Sequence, residues 1–263
     1  MQITYSPKKI TYCLGAIICL LVLANIAGMI GYYYFGHNTS YYTIEYFKLS
    51  SEKNFPTYFS SAQLLFCAIL LAVIANIRKK QAAGDFWHWL GLSAILLFLS
   101  ADESIMIHEV IAEKVRNTLN TTGVFYFAWI IPYSFLVLAV AVAYIPFLLK
   151  LPAAVKKTIV LAGSVFVAGA LGLEAVESYY FTTTGKRGLV FDTLTTIEET
   201  MEMAGILIFL HALLCYIDQS LGGISIQISS QNSQPVTAES RIKARQDRTA
   251  SKNSNSSKTQ LAN

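Results

Sequence analysis

Six stretches of this chain are unbroken apolar runs about as long as a bilayer is thick, roughly Ile10–Tyr34, Tyr58–Ile77, Phe86–Ile107, Val124–Leu149, Thr158–Glu177 and Ile197–Ile217. A helix rising about 1.5 Å per residue needs about 20 such residues to cross about 30 Å of hydrocarbon. The runs are continuous rather than alternating, so they predict helices and not a barrel, because lipid offers no partners to an unpaired backbone. Only 14% of the 263 residues are charged, against about 25% in a soluble domain. The prediction is an all-α, polytopic membrane protein with six transmembrane helices in one bundle over residues 1–221. Residues 222–263, rich in Ser, Asn, Gln and Lys, predict a disordered polar tail that buries too little apolar surface to offset its ordering entropy.

Charge orients the spans. Lys8 and Lys9 precede the first, Arg78, Lys79 and Lys80 follow the second, and Lys150, Lys156 and Lys157 join the fourth to the fifth. With six spans these share one side with the tail, whose Arg241, Lys243, Arg245, Arg248, Lys252 and Lys258 outnumber Glu239 and Asp247. By the positive-inside rule both termini are cytoplasmic, and the tail lies against anionic lipid headgroups. The net charge of +4 belongs to that tail, which leaves no basis for a nucleic-acid partner; protein partners are not indicated. The first run is longer than a signal-peptide core and reads as an uncleaved span. Trp87 and Trp89 read as inner interface anchors, as Tyr32–Tyr34, Tyr179 and Tyr180 do outside. Cys13, Cys19, Cys67 and Cys215 lack CxxC spacing and read as small core residues.

Acidic residues within the apolar runs carry the functional question, since an ionised carboxylate in hydrocarbon costs about 2.5–3.5 kcal/mol on insertion scales. Asp102 and Glu103 lie in the third span, with His108 and Glu109 just beyond. Glu174 and Glu177 end the fifth, and Glu198, Glu199 and Glu202 open the sixth. The predicted topology brings all of them to the outer leaflet. In a continuous helix Asp102, Glu109 and Glu113 form one stripe, while Ser104 and His108 share another face. Ser164, Ala168 and Gly172, four residues apart, predict close packing of the fifth span.

Each acid also has an ordinary explanation. Thr195-x-x-Glu198 and Thr196-x-x-Glu199 fit capping boxes at a helix start. Glu109, Glu113 and Glu177 fit solvated or interfacial positions. His88 fits an interface residue beside the tryptophans, and His211 a hydrogen-bonded structural histidine. Asp102, Glu103, His108, Glu174 and Glu202 are the residues these explanations serve least.

The elements Ser100-x-Asp102-Glu103-x-x-x-x-His108-Glu109 and Glu199-x-x-Glu202-Met203-x-Gly205 resemble a group of uncharacterised bacterial multi-pass membrane proteins. The resemblance implies a bacterial inner-membrane location and groups the acidic residues together; it supplies no activity.

Three functions follow. The first is a metal-dependent, hydrolase-like membrane enzyme working at the outer face. Its cluster would be Asp102, Glu103, His108, Glu109, Glu174, Glu177, Glu199 and Glu202, with Asp102, His108, Glu174 and Glu202 as ligand candidates. Carboxylates with one imidazole suit Mg²⁺, Mn²⁺, Fe²⁺ or Ca²⁺. No HExxH, Glu-x-x-His or Gly-x-Ser-x-Gly element is present. The second is a cation or proton transporter or channel component, though the acids stop in the outer half. The third is a non-catalytic interaction or sensor subunit, its acids neutralised by Lys114, Arg116, Lys186 or Arg187.

Overall fold

A computed structural model of the chain describes residues 2–3, 6–36, 44–221 and 226–227. Except for Ile226–Gln227, which pair antiparallel with Gln2–Ile3, the predicted disordered tail lies outside the described residues. The described residues between Ser6 and Leu221 are helix or short connection.

The elements are α1 (Pro7–Phe35), α2 (Ile44–Phe47), α3 (Phe55–Lys80), α4 (Phe86–Ile105), α5 (Ile107–Leu119), α6 (Ile130–Lys150), α7 (Ala153–Val167), α8 (Glu174–Thr184) and α9 (Leu189–Ser220). A π-helical turn, Ala168–Leu173, fuses α7 to α8. Among the described residues, five stretches are long and apolar enough to cross a membrane: α1, α3, α6, the α7–α8 unit and α9. The third predicted span ends in a break, because α4 and α5 meet at an angle of 80°.

Local chemistry sets the boundaries. Asn54 caps α3 by accepting from the Thr57 N–H at 3.1 Å, Pro56 occupies the first turn, and Arg78, Lys79 and Lys80 meet the negative end of the dipole. Gly36 closes α1 at φ 67°, a conformation that suits glycine.

α9 runs through the centre. α1 is antiparallel to it, with Thr11 Oγ1 2.8 Å from His211 Nδ1 and Asn25 donating to Thr196 Oγ1 at 2.8 Å. α3 is parallel to it: the Cys67 thiol meets the Ile206 carbonyl at 4.0 Å, and Arg78 lies beside Tyr216. α7 is antiparallel and close, and a Cβ on Gly205 would stand 2.8 Å from the Phe166 backbone nitrogen. α4 packs on α3 through Ser93, which donates to the Ala68 carbonyl at 2.8 Å, and through Ser61 and Ser100, 3.0 Å apart. α6 rests on α4 by aromatic side chains, with Phe147 edge-on to Trp89 and Tyr144 donating to the His88 carbonyl at 3.1 Å.

One end of this unit is apolar throughout its core: Leu71, Ile74, Trp89, Leu210, Leu213 and Ile217 are fully buried together. Close packing of these side chains contributes dispersion and shape fit. Lys8, Arg78, Lys79, Lys80, Lys150, Lys156 and Lys157 flank this basic end. The other end, where α3 and α9 begin and α4 and the α7–α8 unit finish, holds the acids.

Several expectations are corrected. Trp89 is a core residue that donates to Asp85 Oδ2 at 3.2 Å, whereas Trp87 is 74% exposed. Ser164, Ala168 and Gly172 face outward, and the tight α7–α9 contacts use Ala162, Gly169 and Gly205 instead. The packed small residues Ala162 and Gly169 are seven apart on a different face, so a four-residue count does not pick them out. The capping boxes do not form: α9 begins at Leu189, so Thr195 and Thr196 are interior and bond back to the Phe191 and Asp192 carbonyls at 3.2 and 2.6 Å. The break at Met106 abolishes the stripe of Asp102, Glu109 and Glu113.

Candidate functional site

Four segments converge at the acidic end. The first is the turn before α3. Asn25 on α1 accepts from the Leu49 N–H at 3.0 Å. Asp192 on α9 accepts from Ser50 Oγ at 2.9 Å and Tyr33 Oη at 2.8 Å, and pairs with Lys48 Nζ at 3.4 Å. These contacts pin residues 48–50 to α1 and α9 and so place Glu52 at the mouth of the cluster. Its side chain keeps accessible surface, yet enough protein surrounds it that burial pushes its carboxyl above the usual range. His108 opposes that shift; Glu109, Glu174 and Asp102 reinforce it.

The second segment is the α4–α5 break. Met106 adopts φ 60°, unfavourable by about 1–2 kcal/mol for a residue with a Cβ. Asp102 holds the turn. Its carbonyl accepts from the Met106 N–H at 2.7 Å, and its Oδ1 caps α5 by accepting from the His108 N–H at 2.7 Å. The same Oδ1 lies 3.2 Å from His108 Nδ1, and Oδ2 accepts from Tyr133 Oη on α6 at 2.8 Å. The His108 ring leans on Trp129, with centroids 5.5 Å apart.

The π-turn and α8 form the third segment. Gly169 lets this stretch approach α9 closely, since a Cβ there would stand 3.0 Å from the Glu198 carbonyl and 3.3 Å from Glu202 Cγ. The extra residue of the π-turn then directs Glu174 and Glu177 at α9. Glu174 Oε1 accepts from Trp129 Nε1 at 3.1 Å. Glu177, 2% exposed, accepts from Thr195 Oγ1 at 2.8 Å through Oε2, while no protein group hydrogen-bonds to its buried Oε1.

The fourth is α9 itself. Glu198 is 5% exposed and meets Glu174 and Glu177, so that one carboxylate oxygen of each lies within 4.8 Å of the others. Glu199, the next residue, and Glu202, one turn further, interact electrostatically with Glu103 and Glu52 and with Glu174. Glu103, Glu174, Glu199 and Glu202 are surrounded by protein yet keep accessible surface, as side chains lining a crevice do.

The sequence-derived set is therefore rearranged. Asp102, His108, Glu174 and Glu202 do not gather as one ligand set among the described residues. Asp102 and His108 engage each other, and the compact trio is Glu174, Glu177 and Glu198. Glu177 is deeply buried rather than interfacial. Glu198 looked like a cap because its threonine is three residues earlier, but that threonine serves Glu177 instead. Glu52 was hidden in a polar loop, and the pinning residues Asn25 and Asp192 give no signal in hydropathy. Glu109 and Glu113 are exposed, as their solvated reading expects. His211 is held by Thr11 and lies 3.4 Å from Cys215 Sγ, as a structural histidine would be. His88 stacks on Phe147 at 5.1 Å, a packing role rather than an interface one.

Of the expected cationic partners, Arg187 acts on Glu177 through its charge, and both arginines rest on aromatic rings. Arg116 sits over the Tyr126 ring at 4.7 Å, and Arg187 lies 5.3 Å from the Phe191 ring centroid. Among the described residues no Lys or Arg forms an ion pair with Glu174, Glu177 or Glu198.

The chain matches no curated protein and no solved structure. The sequence model of one family matches residues 13–217, from the first long helix to near the end of the last. That match covers most of the chain, so this protein belongs to the family described as Domain of unknown function (DUF8692).

Proposed function

We propose that this is a multi-pass membrane protein that binds a divalent cation at Glu174, Glu177 and Glu198 and uses it as a metal-dependent, hydrolase-like enzyme. The observation that carries the proposal is the approach of three carboxylate oxygens within 4.8 Å where Glu177 and Glu198 are buried. Two unit charges at that separation repel by roughly 3–4 kcal/mol at an effective dielectric constant of about 20. Three together demand neutralisation by protons or by a cation. An all-oxygen set suits a hard ion such as Mg²⁺, Mn²⁺ or Ca²⁺.

The neighbouring groups support chemistry beyond binding. His108, oriented by Asp102 through Nδ1, has its second ring nitrogen left to exchange a proton with water or substrate, the arrangement of a general acid–base with its orienting carboxylate. A bound cation would lower the pKa of such a water and polarise a carbonyl or phosphoryl oxygen. Glu52 marks the entrance. The basic end is sealed by Leu71, Leu210, Leu213 and Ile217, which favours a chamber open at one end over a continuous ion route. Cation transport remains the second reading, supported by the succession of Glu198, Glu199 and Glu202 along α9.

In this proposal the five long helices and the bent α4–α5 pair are six spans of a bacterial inner membrane. Both termini are cytoplasmic, the tail lies on anionic lipid, and the acidic end faces outward. The distribution of Lys and Arg supports that orientation.

The deciding measurement is the metal content of detergent-purified protein after equilibration with Mg²⁺, Mn²⁺ or Ca²⁺, wild type against the Glu174→Gln, Glu177→Gln, Glu198→Gln triple variant. Stoichiometric metal in the wild type and its loss in the variant are expected. Equal metal in both, or none in either, defeats the proposal. Single cysteines replacing Ser50 and Lys79, probed with an impermeant thiol reagent in intact cells, test orientation; labelling only at position 50 is expected.

A further inference from the structure

Gln63 is 3% exposed, and neither its amide nitrogen nor its amide oxygen has a hydrogen-bond partner. Leaving such a group unpaired costs about 1–3 kcal/mol, so its position needs a reason. Ser60, 1% exposed, has an unpartnered hydroxyl on the same face of α3. That face is turned to α9, as Cys67 shows by meeting the Ile206 carbonyl.

α3 and α9 are parallel and keep register from Cys67–Ile206 to Arg78–Tyr216. Four residues back on each helix, one turn toward the acidic end, stand Gln63 and Glu202. One further turn brings Ser60 level with Glu199. Glu103 arrives from α4, which Ser61 of α3 holds through Ser100 and Ser104 at 3.0 and 2.7 Å. Glu103 is the first electrostatic neighbour of both Glu199 and Glu202.

We infer that Glu103, Glu199 and Glu202, with the side-chain carbonyl of Gln63, form a second position for a hard divalent cation, one helical turn deeper than Glu174, Glu177 and Glu198. Carboxylates completed by an amide carbonyl are ordinary ligands for such an ion. The unpaired Gln63 oxygen supplies the fourth donor, and Ser60 Oγ lies at the adjoining level. Glu198 and Glu202 are four residues apart, so the two positions are separated by about 6 Å along α9. Two ions there would neutralise a charge that one leaves in excess. This inference rests on the cation reading of the shallower trio.

The test is a titration of full-length, detergent-purified protein with Mn²⁺, following free aqueous Mn²⁺ by electron paramagnetic resonance. Wild type is expected to bind two equivalents, with spin–spin coupling between the bound ions. Gln63→Leu and Glu202→Gln should each lose one equivalent and the coupling; Glu177→Gln should lose the other. Gln63→Glu, which keeps the side-chain shape and adds charge, should retain both and tighten the weaker by about fivefold or more. It guards against misfolding of the leucine variant. A single equivalent in wild type, abolished by Glu177→Gln and untouched by both Gln63 variants, overturns the deeper position and leaves the shallower trio standing. No bound Mn²⁺ at all overturns both.

Discussion

Asp102 and Asp85 show how differently two aspartates at the ends of one helix are used. Asp102 closes α4 with its carbonyl and opens α5 with its carboxylate, so one side chain stabilises the left-handed turn at Met106. Asp102→Ala removes the cap and leaves Tyr133 Oη and His108 without their acceptor. It is predicted to lower stability by about 2–4 kcal/mol, read as a fall in thermal unfolding midpoint in detergent. Asp85 sits at the basic end, where Arg78 Nε reaches its two oxygens at 2.9 and 3.1 Å and Trp89 Nε1 adds a third contact. Burial works against its ionisation, but the Arg78 and Trp89 hydrogen bonds and the Arg78 charge outweigh it and hold the carboxyl below its usual value. A carboxylate lowered on folding adds stability above its unfolded pKa of about 3.9 and loses it as pH falls through the folded value. Asp85→Asn is therefore predicted to lower the midpoint at neutral pH and to weaken its pH dependence below about pH 4. An unchanged acid profile would mean that the pair contributes nothing.

At the scale of elements, the α7–α9 contact and the π-turn make the site possible. Gly205→Ala sets a Cβ 2.8 Å from Phe166 N and 3.0 Å from the Ala162 carbonyl, both backbone atoms that cannot rotate away. It is predicted to cost about 1–3 kcal/mol by forcing the helices apart. Gly172→Ala, with open space around it, should leave the unfolding midpoint nearly unchanged. The π-turn is predicted to act through phase. Inserting one alanine after Leu173 adds a residue that the π-turn does not absorb and should rotate everything beyond it by about 100°, turning Glu174 and Glu177 away from Glu198. The insertion should then lose Mn²⁺ binding while keeping its helix content by circular dichroism; retained binding would show that helix phase does not aim those glutamates.

At the scale of the whole molecule, the two ends have opposite characters, and this contrast was only partly legible in the sequence. The membrane-like runs, their helical nature and the gathering of acids toward one end were readable, because hydropathy and charge are properties of residues. α1, α3, the α7–α8 unit and α9 run past the apolar windows that predict them, whereas α6 begins six residues after its predicted start. α9 begins eight residues before its predicted start, since Asp192, Thr195 and Thr196 are satisfied by protein partners that a window cannot count. Glu198 was readable as a helix cap and Trp89 as an interface anchor for the same reason.

What the sequence by itself determined is which segments prefer a hydrocarbon surrounding, and that many ionisable groups interrupt them. Transfer energies add along a chain, so a local count suffices. Only the tertiary structure decided which carboxylates meet. That choice depends on helix phase, on the left-handed turn at Met106 and the extra π residue after Val167, and on glycines that let backbones approach within contact. Each changes direction by tens of degrees without a compensating change in hydropathy. Glu177 thereby reaches Glu198, and Asp102 reaches His108, through geometry that no window of residues records.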